Sequence, residues 1–333
     1  MGKLDKEELK KLLSFIKKDK RVIIPPSPGF DSGAHMLDGT CLIVSTDPCI
    51  GVPEKWFGWL LIHYAASDVA LFGAKPEFCT INLLGPPSTK PEKFYKIMEN
   101  TCKAAEELEM AVVTGHTGTY QGLSTIVGVC TAYGKISKDK LITPGNARPG
   151  DYIFCIKPVG LEVAVNFALT HKNLANRLFG TKSTKALEKL VKAQSCVKEA
   201  LLLAETGGVH AMHDATEGGL TSALNEMAEA SNVGFKVKLE KIPFAKEAFT
   251  LQCYFKLSDF QMLSMSSTGT VLAAVDPAAK ENVEKVLQKN HVEAHIIGVF
   301  TKEKKRILVK DEKEGTFPEK PDDPYERILS GKL

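Results

Sequence analysis

Ser67-Asp68-Val69-Ala70-Leu71-Phe72-Gly73-Ala74-Lys75-Pro76 is the stretch on which the reading of this chain turns. It closes a segment, Trp56 to Phe72, that is apolar on nearly every side. Asp68 is its only formal charge, and His63, Tyr64 and Ser67 are its other polar side chains. A segment apolar all round predicts a buried helix, which Gly73 and then Lys75-Pro76 would stop. A carboxylate in such a helix is costly unless it is hydrogen-bonded, paired or bound to a cation. Asp68 is therefore either bonded to a neighbouring turn or part of a ligand site, and other acidic residues converging on it would favour the second.

Upstream lies a Pro- and Gly-rich loop, Ile24-Pro25-Pro26-Ser27-Pro28-Gly29-Phe30-Asp31-Ser32-Gly33-Ala34, whose N–H groups and Asp31 could meet a ligand. Cys41 to Thr46 then reads as a short buried strand ending at Asp47. Downstream the pattern predicts a strand near 78–84 and a helix over 91–108. A strand at 111–114 runs out into Gly115-His116-Thr117-Gly118, and another strand covers 124–133. The densest interior turn cluster, Pro144-Gly145-Asn146-Ala147-Arg148-Pro149-Gly150-Asp151, sets the expected boundary, giving domains 1–147 and 148–333. The second half restarts with a strand at 152–156 and a helix after Gly160, then one long helix over 183–206. Residues 208–220, which include His213-Asp214, read as strand, loop and helix start, followed by strands at 235–239, 268–275, 294–300 and 306–309 and a helix at 278–289. The polar tail from Asp311 is expected to drape over the surface. Strands and helices in both halves make an α/β protein of two α+β domains.

A chain of 333 residues with 44% hydrophobic and 25% charged residues can fill two ordinary cores. A net charge of +3 with scattered lysines and no basic stripe argues against nucleic acid and leaves a small molecule or a protein as the partner. The eight cysteines form no C-x-x-C pair and mostly sit in apolar runs, which suits buried thiols in a reducing cytosol. Residues 1–20 read as a Lys-rich amphipathic helix with Leu4, Leu9, Leu12, Leu13 and Ile16 on its apolar side, without the apolar core of a signal peptide. No apolar run reaches membrane-spanning length, so a cytoplasmic protein is expected.

No P-loop, Rossmann fingerprint or G-x-S-x-G elbow is present. His210-x-x-His213-Asp214 invites a metal reading, but no third ligand lies nearby in sequence, and a role in shaping the loop before Gly218-Gly219 is the plainer account. What remains is Asp31 in the glycine loop, Asp47 at a strand end, Asp68 in the buried helix and His116 at another strand end. Carboxylates gathered from separate elements are how proteins hold Mg²⁺ against nucleotide phosphates, since Mg²⁺ prefers oxygen ligands.

In order, Asp31-Ser32-Gly33-Ala34, Ser45-Thr46-Asp47, Ser67 to Pro76 and Thr114-Gly115-His116-Thr117 resemble the aminoimidazole-ribonucleotide (AIR) synthetase, or PurM-like, superfamily. Its members read roughly D-D-A-A, T-T-D, N/S-D-[IL]-A-x-M-G-A-x-P and G-D-T there. His213-Asp214-Ala215-Thr216-Glu217-Gly218-Gly219-Leu220 and Gly269-Thr270-Val271-Leu272-Ala273-Ala274-Val275 resemble the hydrogenase-maturation (HypE) branch. The resemblance spans about residues 22–310. It implies a two-domain fold whose N-terminal halves pair in a homodimer as a β-barrel, with ATP and Mg²⁺ as cofactors. It further implies metal ligation by Asp31, Asp47 and Asp68 and nucleotide contacts from these with Ser32, Gly33, Gly115 and His116. His116, His213 and Asp214 stand as candidate catalytic residues. The implied activity is ATP-dependent phosphoryl transfer to an unidentified small-molecule or protein-borne acceptor.

Departures from the HypE pattern matter equally. That branch carries a C-terminal cysteine that receives a carbamoyl group and is dehydrated to a thiocyanate, whereas no cysteine follows Cys253 here and Arg327-Ile328-Leu329 places Leu329 where the thiol would stand. His116 replaces the aspartate of G-D-T, Gly118 replaces a lysine, and Thr268 replaces the acid before G-T-L. A neutral imidazole is a poor Mg²⁺ ligand, so one fewer cation is the simplest consequence. Two further readings stand beside the first. One is hydrogenase maturation with a substitute for the missing thiol, acting with a partner protein, and the other is a nucleotide-binding regulator without turnover.

Overall fold

The structure, a computed structural model, describes residues 4 and 6–331 and separates into two compact units. One comprises Leu13–Leu141, and the other joins residues up to Leu12 to Ile142–Leu333. Of the helix expected over 1–20, α1 spans only Lys6–Leu13, and residues 1–3 and 5 lie outside the described residues. On its apolar side Leu9 and Leu13 are half-buried, while Leu12 and the flanking Leu4 and Ile16 are exposed.

The smaller unit is built on a six-stranded sheet in the order β1-β2-β3-β6-β4-β5, with β1 Val22–Ile24, β2 Gly33–Leu37, β3 Thr40–Ile50, β4 Phe78–Gly85, β5 Ala111–Thr119 and β6 Val127–Ile136. All neighbours run antiparallel except β4 and β5, which are joined by the crossover helix α3 (Pro91–Glu107). The apolar segment forms α2, Glu54–Leu71, buried from Phe57 to Leu71 except at Tyr64, and Gly73 at φ 83° ends it. Burial on every side needs a cover on both flanks. One face of α2 lies on β3 and β6, while the other meets α3 so closely that a Cβ on Gly58 would stand 2.5 Å from the Thr101 nitrogen. Along β3 the odd-numbered residues Cys41, Ile43 and Ser45 turn inward beneath α2, as the two-residue pleat requires.

The larger unit holds a seven-stranded sheet in the order β13-β12-β9-β11-β7-β10-β8. The elements are β7 Tyr152–Ile156, α4 Leu161–Thr170, α5 Lys172–Phe179, α6 Thr181–Leu187, α7 Val197–Thr206, β8 Val209–Ala215, α8 Gly219–Ser231, β9 Gly234–Lys238, α9 Lys246–Phe255, α10 Asp259–Leu263, β10 Ser267–Val275, α11 Lys280–Lys289, β11 Ala294–Thr301, β12 Arg306–Lys310, β13 Lys313–Thr316 and α12 Tyr325–Leu329. Its core packs Phe235, Leu224, Met227, Leu272 and Phe317 between sheet and helices.

Three expectations need correction. The single helix over 183–206 is broken into α6, a 3₁₀ segment Leu190–Gln194, and α7. There the Lys157 ammonium donates to the Ala193 and Ser195 carbonyls at 3.0 and 2.6 Å, taking acceptors a continuous helix would use internally. The 111–114 strand does not stop at Thr114 but continues through Gly115-His116 to Thr119. The tail does not drape loosely, because Phe317 and Ile328 are fully buried and Phe317 meets Phe235 edge-on at 4.9 Å.

Candidate functional site

Within the smaller unit, β3, α2 and the loop before β2 bring three of the singled-out residues together. Asp68 is 6% exposed and accepts a hydrogen bond from the Ser45 hydroxyl at 2.7 Å. The same Ser45 oxygen lies 3.1 Å from the Asp31 carbonyl, which ties the glycine loop to the helix. A hydroxyl carries one proton, and the shorter contact to an ionised acceptor is the stronger bond. Two residues along β3, Asp47 is half-buried on the same strand face as Ser45. It does not end the strand as expected, because β3 continues to Ile50. Ser32 is 3% exposed, and its hydroxyl oxygen is buried with no hydrogen-bond partner among the described residues. Buried hydroxyls are ordinarily satisfied, so this atom is suited to a polar ligand entering the loop. Oxygen donors from Asp31, Asp47 and Asp68 are the type Mg²⁺ takes, and Ser32 with Gly33 supplies loop groups fit for phosphate oxygens. The residues present therefore fit a Mg²⁺–nucleotide group.

Gly115 and His116 stand elsewhere. They sit inside β5, which β6 and β4 separate from β3, about 14 Å away at three strand spacings. His116 is exposed, pairs in register with Asn82 and has its Nε2 against the Tyr120 hydroxyl. Gly115 has a packing reason of its own, because a Cβ there would stand 2.1 Å from the Ile81 carbonyl oxygen. Within one chain, the carboxylate group and His116 do not form one site.

In the larger unit, His213 and Asp214 lie in β8, just before the loop that leads to Gly218-Gly219. His213 is buried, with Nε2 2.9 Å from Glu226 Oε2 and Nδ1 3.7 Å from Asp214 Oδ1. The ring is braced between strand and α8, which suits the shaping role. His210 points to a different carboxylate, Asp151, at 2.9 Å. The two imidazoles thus turn to different carboxylates.

One carboxyl in this unit was not foreseen from the sequence. Glu162, in the first turn of α4, is 7% exposed and accepts the Thr268 N–H at 2.7 Å. Burial pushes its pKa up to about 7, while the Thr268 bonds act the other way and Asp323 and Glu217 add to the rise. Glu162 follows Pro158-Val159-Gly160 by two residues and looks like any helix-start acid, so only the fold brings it to Thr268.

Known proteins are similar to this chain in sequence and in fold. A hydrogenase expression/formation protein of Methanocaldococcus jannaschii is 28% identical over 77% of this chain and 74% of its own length. The carbamoyl dehydratase HypE of Bradyrhizobium diazoefficiens is 26% identical over 75% of the chain and 71% of its own. The selenide, water dikinase of Carboxydothermus hydrogenoformans is 25% identical over 93% and 95%. Among solved structures, E. coli HypE, a hydrogenase maturation protein, superposes with a TM-score of 0.74 at 22% identity, covering 88% of this chain and 92% of its own. AaThiL complexed with AMPPCP and TMP gives 0.71 at 19%, covering 93% of each. At these identities the superpositions speak for the fold, a PurM-like pair of domains. The model for the AIR synthase related protein N-terminal domain matches residues 29–136 and that for its C-terminal domain matches 148–311, so this chain belongs to the AIR synthase-related family.

Proposed function

We propose that this chain is an ATP- and Mg²⁺-dependent enzyme that activates an acceptor by phosphoryl transfer. The observation that carries the reading is Asp68, a carboxylate buried in an otherwise apolar helix and held by Ser45, which also touches the loop containing Ser32, whose buried hydroxyl has no partner among the described residues. Bound Mg·ATP would supply an electrophilic γ-phosphorus, which an oxygen or related nucleophile of the acceptor attacks as ADP leaves. Asp31, Asp47 and Asp68 would hold the cation, while Ser32 and Gly33 would hold phosphate oxygens. Fixing these groups on a strand and a helix positions the reactants, where most of the catalysis in such transfers arises. In this reading residues 1–147 form the ATP-binding domain and 148–333 the second AIR synthase-like domain, in a cytoplasmic protein.

A homodimer completes the reading. Strand β5 is an open edge with Val112 and Val113 exposed, and the face of the sheet away from α2 leaves Leu42, Val44, Val129 and Tyr133 half-exposed. A second subunit covering that face as a β-barrel would bury these half-exposed rows of β3 and β6. His213 and Asp214 remain candidates only for the acceptor side.

The HypE-named relatives favour a second reading, hydrogenase maturation with a partner protein and a substitute thiol. Titration calorimetry with Mg·ATP, followed by a phosphate-release assay, tests the proposal. Absence of binding would refute it, and binding without release would leave a regulator. Mass spectrometry after incubation with ATP and a carbamoyl donor tests the second, which an unmodified chain would exclude.

A further inference from the structure

The sheet of the larger unit ends on a strand that pairs on one side only. β13 follows β12 through the two-residue turn Asp311-Glu312, with φ at 49° and 59°, the backbone twist a tight hairpin needs. Lys310 and Lys313 flank the turn, and the Phe317 N–H donates to the Arg306 carbonyl at 2.9 Å. The hydrogen-bonded pairs are therefore Lys310 with Lys313, Leu308 with Gly315 and Arg306 with Phe317. Glu314 and Thr316 alternate with these, so their backbone N–H and C=O groups point away from β12, where no further strand stands among the described residues.

Two open grooves border this edge, and both touch Glu314, Gly315 and Thr316. The one toward the turn, about 530 Å³, has Leu239, Phe260 and Leu308 in its wall, and Phe260 is 52% exposed. The one toward the other end of β13, about 650 Å³, is lined by Lys304, Lys305 and Arg306. Neither lysine forms an ion pair among the described residues, and Arg306 gives one N–H to Asn225 Oδ1 at 2.9 Å. Of the two acids in the same groove, Glu314 is already ion-paired with Lys236, which leaves Glu319 beside three cations.

We propose that β13 docks an extended segment of a partner protein as one more strand of this sheet, with an apolar side chain against Phe260 and carboxylates against residues 304–306. Outward N–H and C=O groups at alternate residues are what an added strand bonds to, and flanking pockets give such pairing its selectivity. The four residues of β13 cover about 14 Å, so the apolar residue and the acids of the segment stand about four positions apart. A second copy of this chain does not fill the same place. Its own β13, Lys313-Glu314-Gly315-Thr316, has no large apolar side chain for the groove at Phe260. Nucleic acid would answer the lysines but has no peptide groups to pair with Glu314 and Thr316. The inference is independent of what the nucleotide site does.

The test uses the full chain and two fluorescein-labelled peptides of about eight residues, built of alternating Val and Thr with Asp-Asp-Glu at one end and Phe at the other, in the two opposite orders. Fluorescence anisotropy should show saturable binding of at least one order. Lys304→Glu combined with Lys305→Glu should weaken it about tenfold, and Phe260→Ala should weaken it about tenfold as well. Strand pairing is read on the wild-type protein, so it is decided even if a variant does not fold. Methylating every second backbone nitrogen of the bound peptide should abolish binding for the set that faces β13 and spare it for the alternate set. Equal effects of the two sets would overturn the inference, and so would binding of neither order. An oligothymidylate of equal charge that competes as well as the peptide would overturn it in favour of nucleic acid. A sedimentation mass that falls on Phe260→Ala would overturn it in favour of a second copy.

Discussion

Replacing Asp68 with Asn separates the structural role of this carboxylate from the binding role. Asn keeps an oxygen for Ser45, 2.7 Å away in the wild type, and loses only the charge. A hydrogen bond to a charged group contributes about 1.5–3 kcal/mol and a neutral one about 0.5–1.5, so the fold should lose about 1 kcal/mol. For a unit of this size that lowers Tm by roughly 3–5 °C. Binding should suffer more. At a hundred times Kd, Mg·ATP raises wild-type stability by about 2.7 kcal/mol, and a tenfold loss of affinity halves the gain to about 1.4. Differential scanning fluorimetry with and without Mg·ATP reads both effects in one experiment. A folded Asp68→Asn protein whose ligand-induced shift equals that of the wild type would refute the cation role and return Asp68 to a purely structural one.

Gly58→Ala should destabilise the smaller unit by about 1–3 kcal/mol, because the new methyl meets the α3 backbone at Ile97 and Thr101; the urea midpoint checks it. Alkylation of the native protein should modify Cys102 and Cys253 and spare the other six thiols, as counted by mass spectrometry. Cys49 is pushed up to about 12 by burial and the nearby Asp47, and Cys130 is raised by its bond to Cys79 and by burial, so neither offers a thiolate near neutral pH. Val113→Lys, on the open edge of β5, should shift the protein from dimer to monomer in sedimentation, and an unchanged mass would remove β5 from the interface.

The two-domain α/β plan was legible because its signals are local and redundant. Trp56–Phe72 lacks a polar face, and strands such as Tyr152–Ile156 and Ser267–Val275 lie near their expected bounds. The pairing of Asp68 with Ser45 was hidden because it joins residues 23 apart, although both motifs had been singled out. Gly115 misled because glycine in a strand resembles a turn, whereas here it admits the Ile81 carbonyl. The break at 190–194 follows from Lys157, thirty-odd residues earlier, which no periodicity within the segment encodes. Glu162 escaped notice for the same reason, as its partners at 217, 268 and 323 come from three separate elements.

The way the two units share the chain has a consequence for biosynthesis. The smaller unit is one uninterrupted stretch, so a ribosome delivers all of it before most of the larger unit exists. The larger unit draws on both sides of that stretch, and the Lys6–Glu229 ion pair links α1 to α8 across more than two hundred intervening residues. Its first helix must therefore wait, unpartnered, while the inner unit is completed. Severing the chain between the units on the C-terminal side would leave the inner stretch with α1 as a stray leader. A circular permutant that moved α1 behind residue 331 would give both units contiguous sequences and relieve the wait.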